Sequence, residues 1–373
     1  MKIVYFAPIP FDEIKQRPQC LAEELSKSNE IWYVEPTVSL MRCMLKGNGE
    51  YRGFEREHTS NLHIVRLSGK TNVHEKLKLF DIFGLGNWEE SFQIRPLLEQ
   101  ADVVWIGYEG WFRLFVNDKK RFIVYDKMDD NVMLTQNRLI KKFLKRMYSK
   151  LVKRANVIFV TAHKFLDDLN EKRQAVYLVP NGVGFEKQYF GETAIPISVK
   201  KRIGYIGMIG HWFDVEGVRR LALANRDAEI ILVGPNYMPV IDEPNVKYYG
   251  KVPKSEVNGW IESFDVCLYP FKKSELLDTI DPVKIYEYLA CNKPVIAVHS
   301  REIEKYDQRV YSYDTIEELI ALSKKELEKP FKNQEELQDF FKANSWQCRA
   351  EDIIKILEEE IRNEKKSDVS VWN

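Results

Sequence analysis

The residues with the clearest chemical potential belong to a short predicted helix that starts near Pro282. Proline suits the first turn of a helix, because the N–H groups of that turn have no partner within the helix. The free N–H groups and the positive end of the helix dipole favour a phosphate, and Lys284 adds a cation. Glu287, one turn later, can accept two hydroxyl groups, as a ribose requires, although an isolated glutamate is commonly a solvated surface residue. The spacing therefore predicts a binding site for a nucleoside diphosphate.

A second reactive segment is the sequence YDKMDD, in which three carboxylates fall within five positions. Carboxylates this close repel one another, which raises the pKa of at least one of them and favours a general base. Asp126 is nearest to the end of the preceding apolar strand and is our first choice, followed by Asp129 and Asp130. The alternatives are a helix N-cap by Asp129 or Asp130, an ion pair with Arg121 or Lys127, and a metal-binding D-x-D site.

Short apolar strands alternate with amphipathic helices along the chain, which indicates mostly parallel sheets covered by helices. In the first half, strands are predicted at 2–7, 31–35, 63–67, 103–107, 122–126 and 157–161. After position 180 the pattern restarts, with strands predicted at 201–206, 229–233, 246–249, 266–269 and 295–298. Ligands of such sheets bind beyond the carboxyl ends of the strands, which is where the carboxylate cluster is predicted to lie.

The length of 373 residues, of which 45% are hydrophobic, predicts two domains with ordinary cores. We place them at 1–185 and 200–345. A linker at 182–199, which contains several glycine and proline residues, joins the two domains. A helix at 346–363 has apolar residues at helical spacing.

The formal net charge is zero, but the charge is unevenly distributed. Residues 1–190 contain 30 Lys and Arg against 24 Asp and Glu, so the rest of the chain carries the opposite excess. The segment 139–154 holds seven basic residues, no acidic residue and an apolar face. It predicts either contact with an anionic membrane surface or an ordinary helix whose basic side is solvated. We predict no nucleic-acid partner.

The five cysteines are scattered and odd in number, which indicates reduced thiols and a cytoplasmic location. The first ten residues, MKIVYFAPIP, have the pattern of a strand and not of a signal peptide. No apolar run approaches the roughly 18 residues that a membrane-spanning helix needs. Because the six histidines form no cluster, we predict no metal and no cofactor.

Several segments of the chain, taken in order, resemble those of the GT-B glycosyltransferases. The sequence PVKIYEYLA at 282–290, followed by NKPVIA, is similar to the donor-sugar motif of that superfamily. Residues 179–183 (VPNGV) resemble the segment that closes its N-terminal domain. Residues 203–214 (IGYIGMIGHWFD) resemble the first strand and loop of its C-terminal domain. Residues 123–130 (IVYDKMDD) resemble the Y-D-x-x-D-D segment of a bacterial subgroup of that superfamily, whose members build cell-surface polysaccharides such as teichuronic acid.

The resemblance implies an α/β fold of the GT-B type, with two doubly wound Rossmann-like domains facing across a cleft. In that family the last helix crosses back to the first domain. The implied activity is metal-independent transfer of a sugar from a nucleotide-sugar donor, most simply a UDP-sugar, to a glycan or lipid-linked acceptor. A nucleotide-sugar epimerase of the same fold and a non-catalytic protein that binds sugar nucleotides or glycans are the alternatives.

The resemblance also assigns the second domain to the donor. The expected donor-binding residues are Gly207, Gly210, His211, Lys251, Pro282, Val283, Lys284 and Glu287. Glycines in the first loop would let the backbone approach the donor phosphates closely. They also fit a simple tight turn before a helix that Asp214 caps.

The first domain is assigned to the acceptor. Arg17 is expected to hold a phosphate, and Trp111, in a predicted loop, is expected to stack on a sugar ring. The largest retaining family of the fold has a second glutamate where this chain has Thr279. Asp281, two residues later, is the candidate substitute. The difference at 279 favours an inverting mechanism, with the carboxylate cluster of the first domain as the base.

Overall fold

The computed structural model of the protein describes residues 1–13, 15–40, 43–44, 51–70, 85–170, 175–184, 195, 198–328 and 337–370. The chain divides into two compact units. The first unit comprises Met1–Pro180 and Trp346–Asn373, and the second comprises Asn181–Ser345. The boundary thus falls after Pro180, compared with predicted domain limits of 185 and 200, and most of the predicted linker lies outside the described residues.

Each unit is built on one sheet, and most of its strands are buried. The strands of the first unit are β1 (Lys2–Phe6), β2 (Glu30–Glu35), β3 (Phe54–Thr59), β4 (Leu62–Arg66), β5 (Val103–Ile106), β6 (Ile123–Lys127), β7 (Val157–Val160) and β8 (Val176–Leu178). The strands of the second unit are β9 (Arg202–Ile206), β10 (Glu229–Val233), β11 (Val246–Gly250), β12 (Val266–Tyr269), β13 (Val295–Val298) and β14 (Val310–Tyr313). Every strand predicted from the sequence is therefore confirmed.

Helices connect the strands in both units. In chain order they are α1 (Arg17–Ser26), α2 (Leu85–Glu99), α3 (Asn131–Leu134), α4 (Arg138–Arg154), α5 (His163–Asn170), α6 (Val215–Ala224), α7 (Lys254–Glu262), α8 (Val283–Ala290), α9 (Arg301–Glu304), α10 (Ile316–Glu328), α11 (Leu337–Ala343) and α12 (Trp346–Ser370). A 3-10 helix at Glu109–Leu114 follows β5. Among the helices in the described part of the chain, none is both long and apolar enough to cross a bilayer.

The sheet of the first unit has the order β3-β4-β2-β1-β5-β6-β7-β8. Its neighbouring strands run parallel, except that β3 runs antiparallel to β4. Successive side chains of a strand point to opposite faces. Accordingly, Val4 and Phe6 of β1 lie in one buried core, whereas Ile3 and Tyr5 lie in the other.

Helices cover both faces of this sheet. On one face, α2, α4 and α5 contribute Ile94, Leu151 and Phe165 to the core. On the other face, α1 and α12 contribute Leu21 and Leu357. The last helix therefore packs on the first unit, next to α1. It ends at Ser370, compared with the predicted end at 363.

The sheet of the second unit is parallel and has the order β11-β10-β9-β12-β13-β14. The strand that comes first in the chain, β9, lies in the middle, and later strands are added first on one side and then on the other. This is the strand order of a Rossmann-type sheet. The predicted fold class, with two doubly wound Rossmann-like α/β domains, is confirmed.

Three strands, β3, β8 and β14, were not predicted from the sequence. All three lie at sheet edges. The clearest case is β3, whose sequence FEREHT is polar and mostly exposed. Charged residues on an edge strand discourage pairing with other chains, and they also remove the alternation of apolar and polar residues that marks a half-buried strand.

We predict that Leu357→Ala in α12 lowers the free energy of unfolding by about 2–5 kcal/mol, because Leu357 is fully buried and the surrounding core can collapse only in part. Urea denaturation followed by circular dichroism measures the change. Glu358→Ala, one residue later on the exposed side of the helix, should leave the midpoint nearly unchanged. Equal stability of Leu357→Ala and Glu358→Ala would show that α12 is not part of the first core.

Candidate functional site

The carboxyl ends of β9 and β12 form the centre of one edge of the second sheet. These two strands are neighbours, and the strand order reverses between them. In open α/β sheets such a reversal leaves a crevice between loops that leave the sheet in opposite directions, and ligands bind there. The loop after β9 and the segment from Pro282 into α8 contain seven of the eight predicted donor-binding residues, and Lys251 is the eighth.

The loop after β9 depends on close contact between two glycines. Gly207 has φ +154° and Gly234, directly after β10, has φ +135°. A methyl group on Gly234 would lie 2.0 Å from the carbonyl oxygen of Gly207, so neither backbone can move away without disrupting the sheet edge. A methyl group on Gly207 would lie 3.4 Å from Cε of Lys284, which shows that the loop passes directly beside α8.

Helix α8 presents its first turn at this edge. No side chain caps its N terminus, where Pro282 precedes the first helical residue. Lys284 Nζ lies 3.0 Å from Oε2 of Glu287, and both side chains are partly exposed. The opposite side of the helix is buried in the core through Ile285 and Tyr288. Lys284 and Glu287, which are predicted to bind the phosphates and the ribose, therefore lie side by side on the partly exposed face of the helix.

Asp281, two residues before the first residue of this helix, is fixed by buried polar contacts. The Asp281 carboxylate pairs with Lys305 and accepts a hydrogen bond from the backbone N–H of Asn181. The side-chain amide of Asn181 donates to the Asp281 carbonyl at 3.1 Å. Burial acts to lower the pKa of Lys305, but the neighbouring Asp281 carboxylate outweighs burial, and the pKa is raised. Lys305 therefore stays charged at neutral pH.

These contacts correct one prediction. Asp281 cannot replace the missing glutamate at 279, because its carboxylate is wholly buried and already engaged. Thr279 is also buried and donates its hydroxyl to the carbonyl of Leu276 at 2.7 Å. Neither side chain reaches the surface of this edge.

The remaining donor candidates lie at the same edge but are less constrained. Gly210 is buried against the Trp212 ring and accepts the turn bond from Phe213. His211 is exposed, and its carbonyl accepts from Lys272 at 3.1 Å. Lys251 is exposed directly after β11, two strands from β9. Asp214 caps α6, as predicted, by accepting from Gly217 N–H at 3.0 Å.

In the first unit, Asp126 takes part in a buried ion pair with Arg17. Nε of Arg17 lies 3.1 Å from each carboxylate oxygen of Asp126, and Nη2 lies 2.9 Å from Oδ1. Nη1 donates to the carbonyls of Val179 and Pro180 at 2.9 and 3.1 Å. Arg17 and Asp126 are 3% and 1% exposed. The pair joins the start of α1 to the end of β6 and to Val179 and Pro180, where the first segment of the unit ends.

This geometry counts against the predicted roles of Asp126, Arg17 and Trp111. Asp126 is not an accessible base, and its ion-pair partner is neither Arg121, which pairs with Asp118, nor Lys127. Arg17 is not an exposed phosphate ligand, since its guanidinium is committed inside the protein. Trp111 is buried in the 3-10 helix, where its indole N–H donates to the Ala7 carbonyl at 2.8 Å, so no ring face is open to a sugar.

The two other carboxylates of the cluster differ from Asp126 and from each other. Asp130 caps α3 by accepting from Met133 N–H at 2.9 Å, as the capping alternative predicted. Asp129 is exposed to solvent. Protein around its carboxyl group still removes part of the surrounding water and raises its pKa, against the attraction of Lys127 and with a further increase from Glu109. An accessible carboxylate with a raised pKa fits the requirements of a general base.

Glu109 and Lys127 belong to this site but were not assigned to it from the sequence. The buried Glu109 accepts from Tyr125 Oη at 2.6 Å and from Asn131 Nδ2 at 2.8 Å. Lys127 Nζ lies 4.2 Å from the centre of the Phe165 ring and 3.4 Å from the Asp129 carbonyl. A usable signal existed for Glu109, since it follows the carboxyl end of β5, the strand beside β6.

Two solved structures are similar to the chain over almost its whole length. Sucrose-phosphate synthase from Thermosynechococcus elongatus aligns with a TM-score of 0.71 and 13% identity, covering 96% of this chain and 98% of that chain. HepE (Alr3699) from Anabaena, in complex with UDP and glucose, aligns with a TM-score of 0.59 and 12% identity, covering 100% of both chains. At these identities the similarity concerns the fold, which is GT-B.

Sequence comparison finds similarity to glycosyltransferases. Residues 200–321 match the family described as Glycosyl transferases group 1. The chain is also 26% identical to a Bacillus subtilis (strain 168) protein named as a teichuronic acid biosynthesis glycosyltransferase, TuaH, over 389 residues that cover 92% of this chain and 93% of that protein. The chain therefore has the GT-B fold, and its second unit contains a segment similar to a family of glycosyltransferases. Both the Gly207 loop and α8 lie inside the segment that matches the family.

We predict that Asp126→Asn destabilises the first unit of the protein by about 3–5 kcal/mol, because it leaves the buried Arg17 cation without a counter-ion. Thermal and urea denaturation measure the loss. Asp130→Asn makes the same chemical change four residues later, where asparagine also serves as a helix cap, so its stability should stay close to that of the wild type. Wild-type stability in Asp126→Asn would contradict the structural role of the pair.

Proposed function

We propose that the protein transfers a sugar from a UDP-sugar to a glycan or lipid-linked acceptor in the synthesis of a cell-surface polysaccharide. The second unit would bind the donor and the first unit the acceptor. The observation that carries the donor assignment is the position of Gly207 beside the Lys284–Glu287 pair, at the reversal of strand order in the second sheet. The UDP complex of HepE and the name of the TuaH relative support the choice of donor and pathway class.

In this proposal the donor diphosphate lies against the first turn of α8. The N–H groups of Val283 and Lys284, the Lys284 ammonium and the helix dipole all favour negative charge there. Gly207 lets the loop backbone approach the phosphates, and Gly210, His211 and Lys251 remain further donor contacts of the proposal. Glu287 would accept both ribose hydroxyls, and its ion pair with Lys284 holds the two groups at a fixed spacing.

We assign the general base to Asp129 and not to Asp126. The Asp129 carboxylate would take the proton of the acceptor hydroxyl while the acceptor oxygen bonds to the anomeric carbon from the face opposite the leaving diphosphate. The bond between that carbon and the phosphate oxygen breaks, and the departing negative charge meets Lys284 and the N terminus of α8. This step inverts the anomeric centre, and its positive charges come from the protein without a metal ion. The accessibility and the raised pKa of Asp129 support the assignment.

The cellular setting of the proposal follows from acceptor class and thiol chemistry. A glycan or lipid-linked acceptor fits the class of process in the name of the TuaH relative. No disulfide joins the cysteines in the described part of the chain, which is typical of reducing compartments. We therefore place the reaction on the cytoplasmic side of the membrane.

Glu287→Ala should weaken UDP binding by at least about 1.5 kcal/mol, roughly tenfold, because a charged acceptor for the ribose hydroxyls is lost. Isothermal calorimetry with UDP measures the affinity directly and needs no acceptor. Glu262→Ala is the matched control: Glu262 is exposed at the end of α7, which leads into the amino end of β12, away from the proposed site. Unchanged UDP affinity in folded Glu287→Ala would remove the donor assignment.

Asp129→Asn should lower kcat by about 10²–10⁴-fold while UDP affinity stays at the wild-type value. Because the base acts when ionised and its pKa is raised, the wild-type rate should fall on the acid side at a pH above the ordinary aspartate pKa of about 3.9. Asp130→Asn should retain both the rate and that acid limb. Near-full activity of Asp129→Asn would exclude it as the base and would count against inversion by this cluster.

A further inference from the structure

The outward side of α4 is a strip of unpaired basic residues. The exposed members are Arg138, Lys141, Lys142, Lys145, Arg146 and Lys153. The helix contains no acidic residue, and none of these side chains forms an ion pair with a carboxylate in the described part of the chain. Unneutralised like charges along one strip repel one another, so the strip is electrostatically favourable only beside an anionic partner.

Large apolar side chains are also exposed on these helices. Trp88 and Phe92 project from α2 at 67% and 69% exposure, with their rings stacked at 6.0 Å, and Leu139 at the start of α4 is 55% exposed. Trp88 and Phe92 lie one helical turn apart with their rings in contact, so they form a small apolar patch and are not scattered single residues. Exposed apolar patches of this kind mark interaction sites.

The basic strip and the aromatic pair lie on the same side of the first unit. Their helices bury Ile94 and Leu151 in one core on one face of the sheet, and both helices pack against the 3-10 helix at Glu109–Leu114. Helices that connect parallel strands begin near the carboxyl edge of the sheet. Trp88 and Arg138 belong to the first turns of α2 and α4, so the surface that they form borders the edge that carries Asp129.

We propose that this basic-aromatic surface, formed by the outward sides of α2 and α4, docks the protein on an anionic phospholipid bilayer. A bilayer matches both components, since phospholipid headgroups neutralise the basic strip and indole and phenyl rings settle at the headgroup boundary. The apolar side of α4, with Leu144, Met147 and Leu151, is buried in the protein core. The helix therefore rests on the membrane surface and only the exposed side chains of the patch enter it.

Docking in this orientation places the Asp129 edge close to the lipid headgroups. A lipid-linked acceptor could then reach the site by diffusion within the membrane. The surface itself is defined by α2 and α4 and does not depend on how unit 2 binds the donor, so the two proposals can fail separately.

Co-sedimentation with large vesicles tests the docking. Wild-type protein should bind vesicles of phosphatidylglycerol and phosphatidylcholine and should not bind phosphatidylcholine alone. The triple variant Lys142→Gln, Lys145→Gln, Arg146→Gln should partition about 100-fold less to the anionic vesicles, since each basic residue near such a surface contributes a factor of about five. Trp88→Ala with Phe92→Ala should leave a weaker binding that disappears as salt is raised, because the remaining attraction is screened.

The matched control removes three exposed lysines from unit 2: Lys247→Gln, Lys324→Gln, Lys325→Gln. It loses the same charge and should bind anionic vesicles like the wild type. Equal binding by both triple variants would overturn the proposal, as would equal binding of the wild type to neutral vesicles. Binding of the wild type to an RNA homopolymer but to neither vesicle would assign the surface to nucleic acid and overturn it too. Calorimetry with UDP on the α4 variant should give the wild-type affinity, which separates loss of docking from loss of the donor site.

Discussion

The buried pair of Arg17 and Asp126 constrains three parts of the first unit at once. It ties the first residue of α1 to the end of β6, and the same guanidinium holds the carbonyls of Val179 and Pro180, the last two residues before the chain enters the second unit. Two charges removed from water gain little net stability from meeting each other, but losing one of them leaves the other buried and uncompensated. The pair therefore acts chiefly as a requirement that these segments meet in one arrangement.

This requirement also determines which carboxylate of the cluster at 126–130 remains available as the proposed general base. With Asp126 committed to Arg17 and Asp130 committed to the cap of α3, Asp129 is the member of the cluster that remains accessible. Its pKa is raised chiefly because the surrounding protein removes water from its carboxyl group, and Glu109, which Tyr125 and Asn131 hold in place, adds to the increase. The second unit shows the same division of roles. Asp281 is engaged in buried contacts that fix the chain before α8, whereas Lys284 and Glu287 face outward.

Most of the fold could be predicted from hydrophobic periodicity and local sequence motifs. Parallel strands that are buried on both faces are continuous apolar runs, so they are visible in the sequence, whereas the polar edge strand β3 is not. The helix at 283–290 was readable because proline, lysine and glutamate act within one turn of each other. The Arg17–Asp126 pair was not readable, because 109 residues separate its partners and spacing gives no information at that distance. Trp111 was misjudged for a related reason: its indole N–H is bonded to the carbonyl of Ala7, directly after β1, which is 104 positions away in the sequence.

The contact between Gly207 and Gly234 limits how this enzyme can be diversified. The two backbones touch at the point where the loops after β9 and β10 leave the sheet, and a further bridge joins Ile209 to Asn236. A library aimed at a new donor should therefore keep both glycine codons and randomise Met208 and Tyr237, whose side chains are 46% and 71% exposed in the same two loops. Such a library would change the chemistry of the edge while the main-chain path that shapes it stays the same.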